Sequence, residues 1–252
     1  ALTHLTEIVD NELINKNFTV LAQAAGRVGS PQLRNMGTIG GNLTQRPRCW
    51  YFRGDFHCLK KGGDMCYAEI GQNKYHAIID GGPCYIVHPS DTAVALLALN
   101  AVILTYSKSG KKRIPISEFF TLPDKDVTVE NVLADDEIIT HIEIPLLPNG
   151  TSSAYLKFTE RGSWDFALVS VAAVINHNNN KINSGRLAFG GVAPIPWNDD
   201  ELDKKLVGLT LKTDSLMNFS KSVLANADPL EHNGYKVQLA RGLTVEVLSK
   251  FS

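Results

Sequence analysis

Cys49, Cys58, Cys66 and Cys84 are the only cysteines in a chain of 252 residues, and all four lie within one 36-residue window. Random scatter would place four cysteines so close on the order of once in a hundred chains, which points to a shared purpose. Four thiols can make two disulfides, ligate zinc or hold an iron–sulfur cluster; four unrelated thiols are the plain alternative. Disulfide staples suit small secreted domains, and this chain is large enough to bury a core without them. Structural zinc prefers paired Cys-x2-Cys knuckles, whereas the spacings here are Cys-x8-Cys-x7-Cys-x17-Cys. An iron–sulfur cluster takes four thiolates, and a loop can deliver them at irregular spacing.

The surroundings favour a cofactor. Between Gln45 and Lys74, Arg46, Arg48, Arg53, Lys60, Lys61 and Lys74 face only Asp55, Asp64 and Glu69, an excess of positive charge that favours thiolates and an anionic cluster. Gly54, Gly62, Gly63 and Gly71 keep the segment irregular. His57 and His76 lie near enough in sequence to be ligands in a mixed site, with a solvated loop histidine as the default reading of each. A second feature precedes the loop: Gly37-Thr38-Ile39-Gly40-Gly41-Asn42 reads as a glycine-rich turn, not a helix interior, whose amides could approach an anion. It lacks the Gly-x-Gly-x-x-Gly spacing of a dinucleotide fingerprint. Asp91 is either a helix cap or an acceptor for a cofactor. Lys157 and Arg161 could anchor an anionic ligand, with ordinary surface charge as the alternative. No Gly-x-Ser-x-Gly elbow, His-Glu-x-x-His helix or carboxylate pair is present, so a cofactor carrier is a better reading than a hydrolase.

The elements that must position these residues follow from periodicity. Leu2 to Asn15 and Phe18 to Val28 predict two helices, with Thr19 a candidate cap for the second. Ala77 to Asp80 and Tyr85 to His88 read as short strands. Pro89-Ser90-Asp91 introduces an apolar helix from Thr92 to about Asn100, because Ser90 or Asp91 can accept its orphan amide hydrogens. Val102 to Tyr106 and Lys112 to Ile116 form a hairpin, and Glu137 to Ile144 another strand. Leu147 to Ser153, rich in Pro, Gly and Ser, reads as a linker. Beyond it come three strands, Ala154 to Thr159, Ala167 to Asn176 and Lys181 to Gly190, with Asn178-Asn179-Asn180 as a turn. Three helices follow, around Asp199 to Leu206, Asp214 to Asn226 and Gly234 to Lys250. Strands then helices give an α+β fold in two domains, 1–150 and 151–252, with the cysteine loop at 45–84 in the first.

Lys plus Arg number 25 against Asp plus Glu 26, so no global charge recommends nucleic acid or an anionic membrane. The apolar stretches are too short to span a membrane, and no basic n-region with an apolar h-region opens the chain. A soluble, cytoplasmic protein is expected. The chain starts without Met, which leaves room for residues upstream.

The ordered motifs resemble one family. Ser30-Pro31-Gln32-Leu33-Arg34-Asn35-Met36-Gly37-Thr38-Ile39-Gly40-Gly41-Asn42, then Gln45-Arg46-Pro47-Arg48-Cys49-Trp50-Tyr51-Phe52-Arg53, resembles the FAD-binding medium subunit of the xanthine dehydrogenase, aldehyde oxidoreductase and carbon monoxide dehydrogenase family. His88-Pro89-Ser90-Asp91, Glu137-Ile138-Ile139, Ile142-Glu143-Ile144-Pro145, Tyr155-Leu156-Lys157 with Arg161, and Phe166 to Ala173 are similar to it in the same order. The resemblance implies the second half of a molybdopterin-dehydrogenase-type FAD-binding domain followed by a small α+β domain, a three-stranded sheet with helices. It implies FAD contacts at Thr38, Ile39, Gly40, Gly41, Asn42, Asp91, Ile139 and Lys157. The cysteine loop resembles the branch, including 4-hydroxybenzoyl-CoA reductase and certain bacterial aldehyde oxidoreductases, that carries a [4Fe-4S] cluster in an insertion. Cys49, Cys58, Cys66 and Cys84 would be its ligands.

Such a chain would be the electron-transfer flavoprotein of a molybdenum hydroxylase-type complex. Its partners would be a large subunit with the molybdenum cofactor and a small subunit with [2Fe-2S] clusters, and an export signal on a partner could place the complex in the periplasm. The family's first FAD loop, an Ala-Gly-Gly-Thr-like pyrophosphate motif, is expected upstream and is not found in this chain. Two rivals follow: an assembly module with a zinc or iron–sulfur site and no flavin, and a free-standing flavin oxidoreductase acting on NADH.

Overall fold

Asn11 breaks the first predicted helix in two. Its side chain accepts a hydrogen bond from the Ile14 amide, 3.1 Å away, so the backbone leaves the helical region and restarts. The computed structural model describes residues 1–252, and helices α1 (Leu5–Asp10) and α2 (Glu12–Asn17) replace one long helix. Helix α3 (Thr19–Gly26) buries Val20, Leu21, Ala24 and Ala25. Phe18, not Thr19, occupies its cap position, and the Thr19 hydroxyl donates instead to the Asn15 carbonyl. Helix α4 (Pro31–Met36) starts on Ser30, whose hydroxyl caps Leu33, with proline where no amide hydrogen is needed.

The glycine-rich segment is not an open turn. Ile39–Leu43 forms helix α5, a little over one turn, with Thr38 Oγ1 accepting from the Gly41 amide. Two glycines in a helix cost roughly 1 kcal/mol each relative to alanine. The cap and two further bonds offset that: Ile39 N donates to Thr3 O and Gly40 N to Ala1 O, both 3.0 Å. A Cβ on Gly40 would lie 3.1 Å from Ala1 O, so glycine permits the close approach.

The cysteine loop holds two single-turn helices, α6 (Trp50–Arg53) and α7 (Tyr67–Ile70), and the 3-10 turn Leu59–Lys61. The strands expected at Ala77 to Asp80 and Tyr85 to His88 do not form a ladder. The first segment bends at Ile78 to Asp80, where Asp80 takes a positive φ of 51°, and the bonds are shared out: Ala77 N donates to Tyr85 O, Ile78 N to Val192 O and His88 N to Ala193 O. Helix α8 (Asp91–Ala98) is apolar all round and wholly buried. The antiparallel sheet β2-β1-β3 follows, with β1 (Val102–Ser107), β2 (Gly110–Pro115), the short helix α9 (Ile116–Phe119) and β3 (Ile138–Glu143).

The second sheet is a meander, β4 (Thr151–Phe158), β5 (Val169–Asn178) and β6 (Lys181–Gly190). Strand β4 begins inside the stretch that composition suggests is a linker. Asn179 and Asn180 both take positive φ, 48° and 58°, which suits the tight β5–β6 turn. Helices α10 (Asp200–Leu206), α11 (Thr213–Ser220) and α12 (Tyr235–Ser249) complete the chain. Val169 to Ile175 is buried on both faces, because the sheet lies between two apolar cores. Tyr155, Ala172, Val174 and Ala188 join the core of α1, α3 and α8, while Ala154, Val171, Ala173, Ile175 and Phe189 join that of α10 to α12. The architecture is the α+β fold expected, and no helix is long and apolar enough to cross a membrane.

Candidate functional site

The four cysteines enter from separate points. Cys49 precedes α6, Cys58 precedes the 3-10 turn, Cys66 precedes α7, and Cys84 lies on the extended return. All four thiols are free, so the disulfide alternative is not realised. They line one small cavity with Tyr51, Phe52, Leu59, Tyr67, His76 and Ile86. No three donors close on a point that a single ion could occupy. Cys66 and Cys84 lie together: the neighbouring Cys84 and the amides of Tyr85, Ala68 and Glu69 hold the Cys66 thiol well below its ordinary value, and Cys66, with burial, pushes Cys84 up. Burial raises the Cys49 thiol.

The positive charge of the loop is more fully partnered than composition suggests. Buried Lys60 donates to Glu130 at 2.7 Å, Arg46 meets the same carboxylate at 2.9 Å, and Lys74 pairs with Glu160. His57 is exposed, as expected of a loop histidine, but His76 is 3% exposed with Nε2 3.2 Å from Cys49 Sγ. Burial, and then the nearby Lys236 charge, lower the His76 pKa to about 4.

The predicted flavin contacts assemble partly through hydrogen bonds. Asn42 Oδ1, at the end of the Thr38–Asn42 segment, accepts from Ser90 Oγ and Thr92 Oγ1, both 2.6 Å away, and so ties α5 to the start of α8. Ser90, not Asp91, caps α8 by accepting from Ala93 N. Asp91 is released to bind Lys157: Oδ2 lies 2.7 Å from Nζ, and Oδ1 accepts from Tyr155 OH at 2.6 Å. Both charged side chains are nearly inaccessible, and burial raises the Asp91 carboxyl against the pull of Lys157. Lys157 is therefore committed to a carboxylate, while Arg161 stays exposed and meets Asp165 at 3.6 Å. Ile139 is half-buried on β3 against the first core, and the adjacent Thr140 carbonyl accepts from Ala1 N at 2.9 Å. The same Ala1 carbonyl accepts from Gly40, so β3 and α5 are bridged by one residue.

A larger cavity, about 430 Å³, opens between the cysteine loop, the start of α8 and the Glu160–Ser170 segment. Its volume lies in the range of small-molecule sites. Trp50, Tyr75, Val94, Phe166 and Leu168 supply apolar and aromatic surface, and Arg48 lies over the Phe166 ring at 5.1 Å. Three residues of its wall, His76, His88 and Ser170, each hold a buried polar atom without a hydrogen-bond partner, namely Nδ1, Nε2 and Oγ. Cys49 and His76 border both cavities. Sequence reasoning missed Ser170, Tyr75 and Gly190 here, since each reads as an ordinary strand or loop residue; His76 carried only its position near a cysteine. A second, polar cavity of about 190 Å³ has Arg27, Arg34, Lys157 and Arg161 in its wall.

Comparison with known proteins shows the family. Residues 1–147 match the family model of the FAD binding domain in molybdopterin dehydrogenase, and residues 154–251 that of the CO dehydrogenase flavoprotein C-terminal domain. The chain is 36% identical to the aldehyde oxidoreductase FAD-binding subunit PaoB of Escherichia coli, over 99% of this chain and 76% of that protein. It is 28% identical to the glyceraldehyde dehydrogenase medium chain of Sulfolobus acidocaldarius, over 99% and 74%. The fold superposes on carbon monoxide dehydrogenase from Hydrogenophaga pseudoflava with a TM-score of 0.72 at 21% identity, covering 98% of this chain and 72% of that one. The chain belongs to the family of FAD-binding oxidoreductase subunits of the xanthine dehydrogenase, aldehyde oxidoreductase and carbon monoxide dehydrogenase type, which accounts for the pairing of an FAD-binding domain with a flavoprotein C-terminal domain.

Proposed function

We propose that this chain is the electron-transfer flavoprotein subunit of a molybdenum hydroxylase-type complex, and that Cys49, Cys58, Cys66 and Cys84 hold a [4Fe-4S] cluster beside its flavin site. The observation that carries the reading is the shared wall: the cavity lined by four thiols and the larger cavity adjoin at Cys49 and His76, and Asp91 is the one predicted flavin contact that lines the larger cavity. Four soft thiols in a mostly apolar pocket suit iron–sulfur chemistry. FAD when bound supplies interchange between one- and two-electron chemistry, and an iron–sulfur cluster supplies one-electron transfer.

The chain's own residues hold and orient. The amides of Ile39, Gly40, Gly41 and Asn42 are bonded within the chain, so this segment would meet a ligand through the accessible surface of Thr38, Gly41 and Asn42, and Asn42 keeps the helix in register with Asp91. Asp91 and Lys157, buried as a pair, present fixed opposite charges, with Ile139 on the neighbouring strand. The unpartnered polar atoms of the larger cavity await hydrogen bonds that a heteroaromatic ligand could make. Partners of this subunit are a large molybdenum-cofactor subunit and a small [2Fe-2S] subunit, as in the family. We place the division between its own two domains at 150/151.

Anaerobic reconstitution with iron and sulfide, applied to the wild type and to the four single Cys→Ser variants, tests the cluster. Each variant is expected to lose most of its iron and visible absorbance while keeping the wild-type fold by circular dichroism. Full iron content in any of the four would remove that cysteine from the ligand set.

A further inference from the structure

His76 is held from behind with unusual completeness. Its amide donates to Asn73 O at 2.9 Å, and its carbonyl accepts from Lys236 Nζ at 2.9 Å and Asn233 Nδ2 at 3.2 Å. Trp50 meets the ring edge-on with centroids 5.7 Å apart. The ring so fixed puts Nε2 3.2 Å from Cys49 Sγ, while Nδ1 is buried with no partner.

Two proton arrangements are open to this contact, and they differ in cost. When the thiol S–H donates to Nε2, the ring proton sits on Nδ1, and a buried N–H is left with no acceptor. When the sulfur accepts, as a thiolate must and a thiol can, the ring proton sits on Nε2 and Nδ1 is left as a bare lone pair. A buried unpaired donor is rarer and more costly than an under-used acceptor. The geometry is thus better satisfied with Nε2–H donating to the sulfur than with the sulfur donating to Nε2.

We propose that His76 is a positioning residue that donates Nε2–H to the Cys49 thiolate of the metal centre, fixing that sulfur and raising the reduction potential of the cluster. This rests on the reading of the four cysteines as iron–sulfur ligands. A hydrogen bond to a ligating sulfur draws off negative charge and so favours the reduced state. It acts at the one cysteine of the four that also borders the larger cavity.

The test uses reconstituted protein and pulsed electron paramagnetic resonance with a redox titration. In wild type labelled with [15N]histidine, the reduced cluster is expected to show coupling to a histidine nitrogen, and that coupling is expected to vanish in His76→Gln. His76→Leu should retain wild-type iron and shift the reduced-to-oxidised equilibrium at least tenfold, about 60 mV lower for a one-electron couple. His76→Gln, which keeps an N–H donor, should recover at least half of that shift. Iron bound without histidine coupling in the wild type overturns the proposal even if His76→Leu fails to load. An unchanged potential in an iron-replete His76→Leu does the same. A wild type that takes up no iron removes the parent reading, and this one with it.

Discussion

Asp91 shows how a residue's role depends on its neighbour. In sequence it looks like a helix cap, but Ser90 performs the capping and leaves the Asp91 carboxylate free for Lys157 and Tyr155. A buried ion pair is expensive to form and more expensive to break, since removal of one partner strands a charge. Lys157→Met is therefore expected to cost about 3–5 kcal/mol in urea unfolding and to weaken FAD binding. Asp91→Asn combined with Lys157→Met should recover much of the stability without recovering flavin affinity, as fluorescence titration would show. Equal stability losses in the single and double variants would contradict this account. The pair itself was not legible in the sequence: Lys157 read as a surface anchor, and only the fold brings it to a residue 66 positions away.

At the scale of elements, helices with strong apolar periodicity and the β1–β2 and β5–β6 hairpins were legible, because their signals are local. The failures occur where a nonlocal partner decides. Ala77 to Asp80 and Tyr85 to His88 have strand-like side chains, yet their amides go to the turn after β6 and to each other singly. The Thr38–Asn42 segment becomes helical because the chain's first residues supply its partners. His88, in the segment leading into α8, packs edge-on to Phe120 with centroids 4.6 Å apart, and burial lowers its pKa to about 4. An unfolded histidine titrates near 6.5, so between those values the unfolded chain binds the extra proton and stability falls as the pH drops. Acidification from about pH 6.5 to 4 should remove about 3 kcal/mol through this residue. His88→Phe should flatten that part of the stability profile; an unaltered acid slope would show that His88 is not its source.

The whole molecule is held by contacts between its two sequence halves. The β4–β6 sheet serves two cores, one face for each, so the break in composition near Pro148 separates stretches of chain that share packing. Lys236 on α12 is a second tie. Fully buried, it donates to Tyr75 O, His76 O and Gly191 O at 2.7–2.9 Å and so binds the cysteine loop to the C-terminal helix and to the end of β6. Nothing in the pattern around Lys236 distinguishes it from a surface lysine. Lys236→Met would take the donor from the Tyr75 and Gly191 carbonyls, His76 O keeping Asn233 Nδ2, at about 1–3 kcal/mol each before relaxation. Faster amide exchange at residues 73–77 and reduced iron uptake are expected, with the β1–β3 sheet unaffected. Loss of protection across the whole chain would mean that Lys236 supports the fold in general and not the loop in particular.

We propose a four-thiolate iron–sulfur site next to a flavin site in one subunit. Iron, sulfide, zinc and flavin analysis of the anaerobically purified chain, with its visible spectrum before and after dithionite, tests it most directly. The account predicts about four irons and four sulfides per chain, no stoichiometric zinc, FAD bound at purification or on addition, and bleaching of the visible absorbance on reduction. Stoichiometric zinc, or four titratable thiols with no iron after reconstitution, would contradict it.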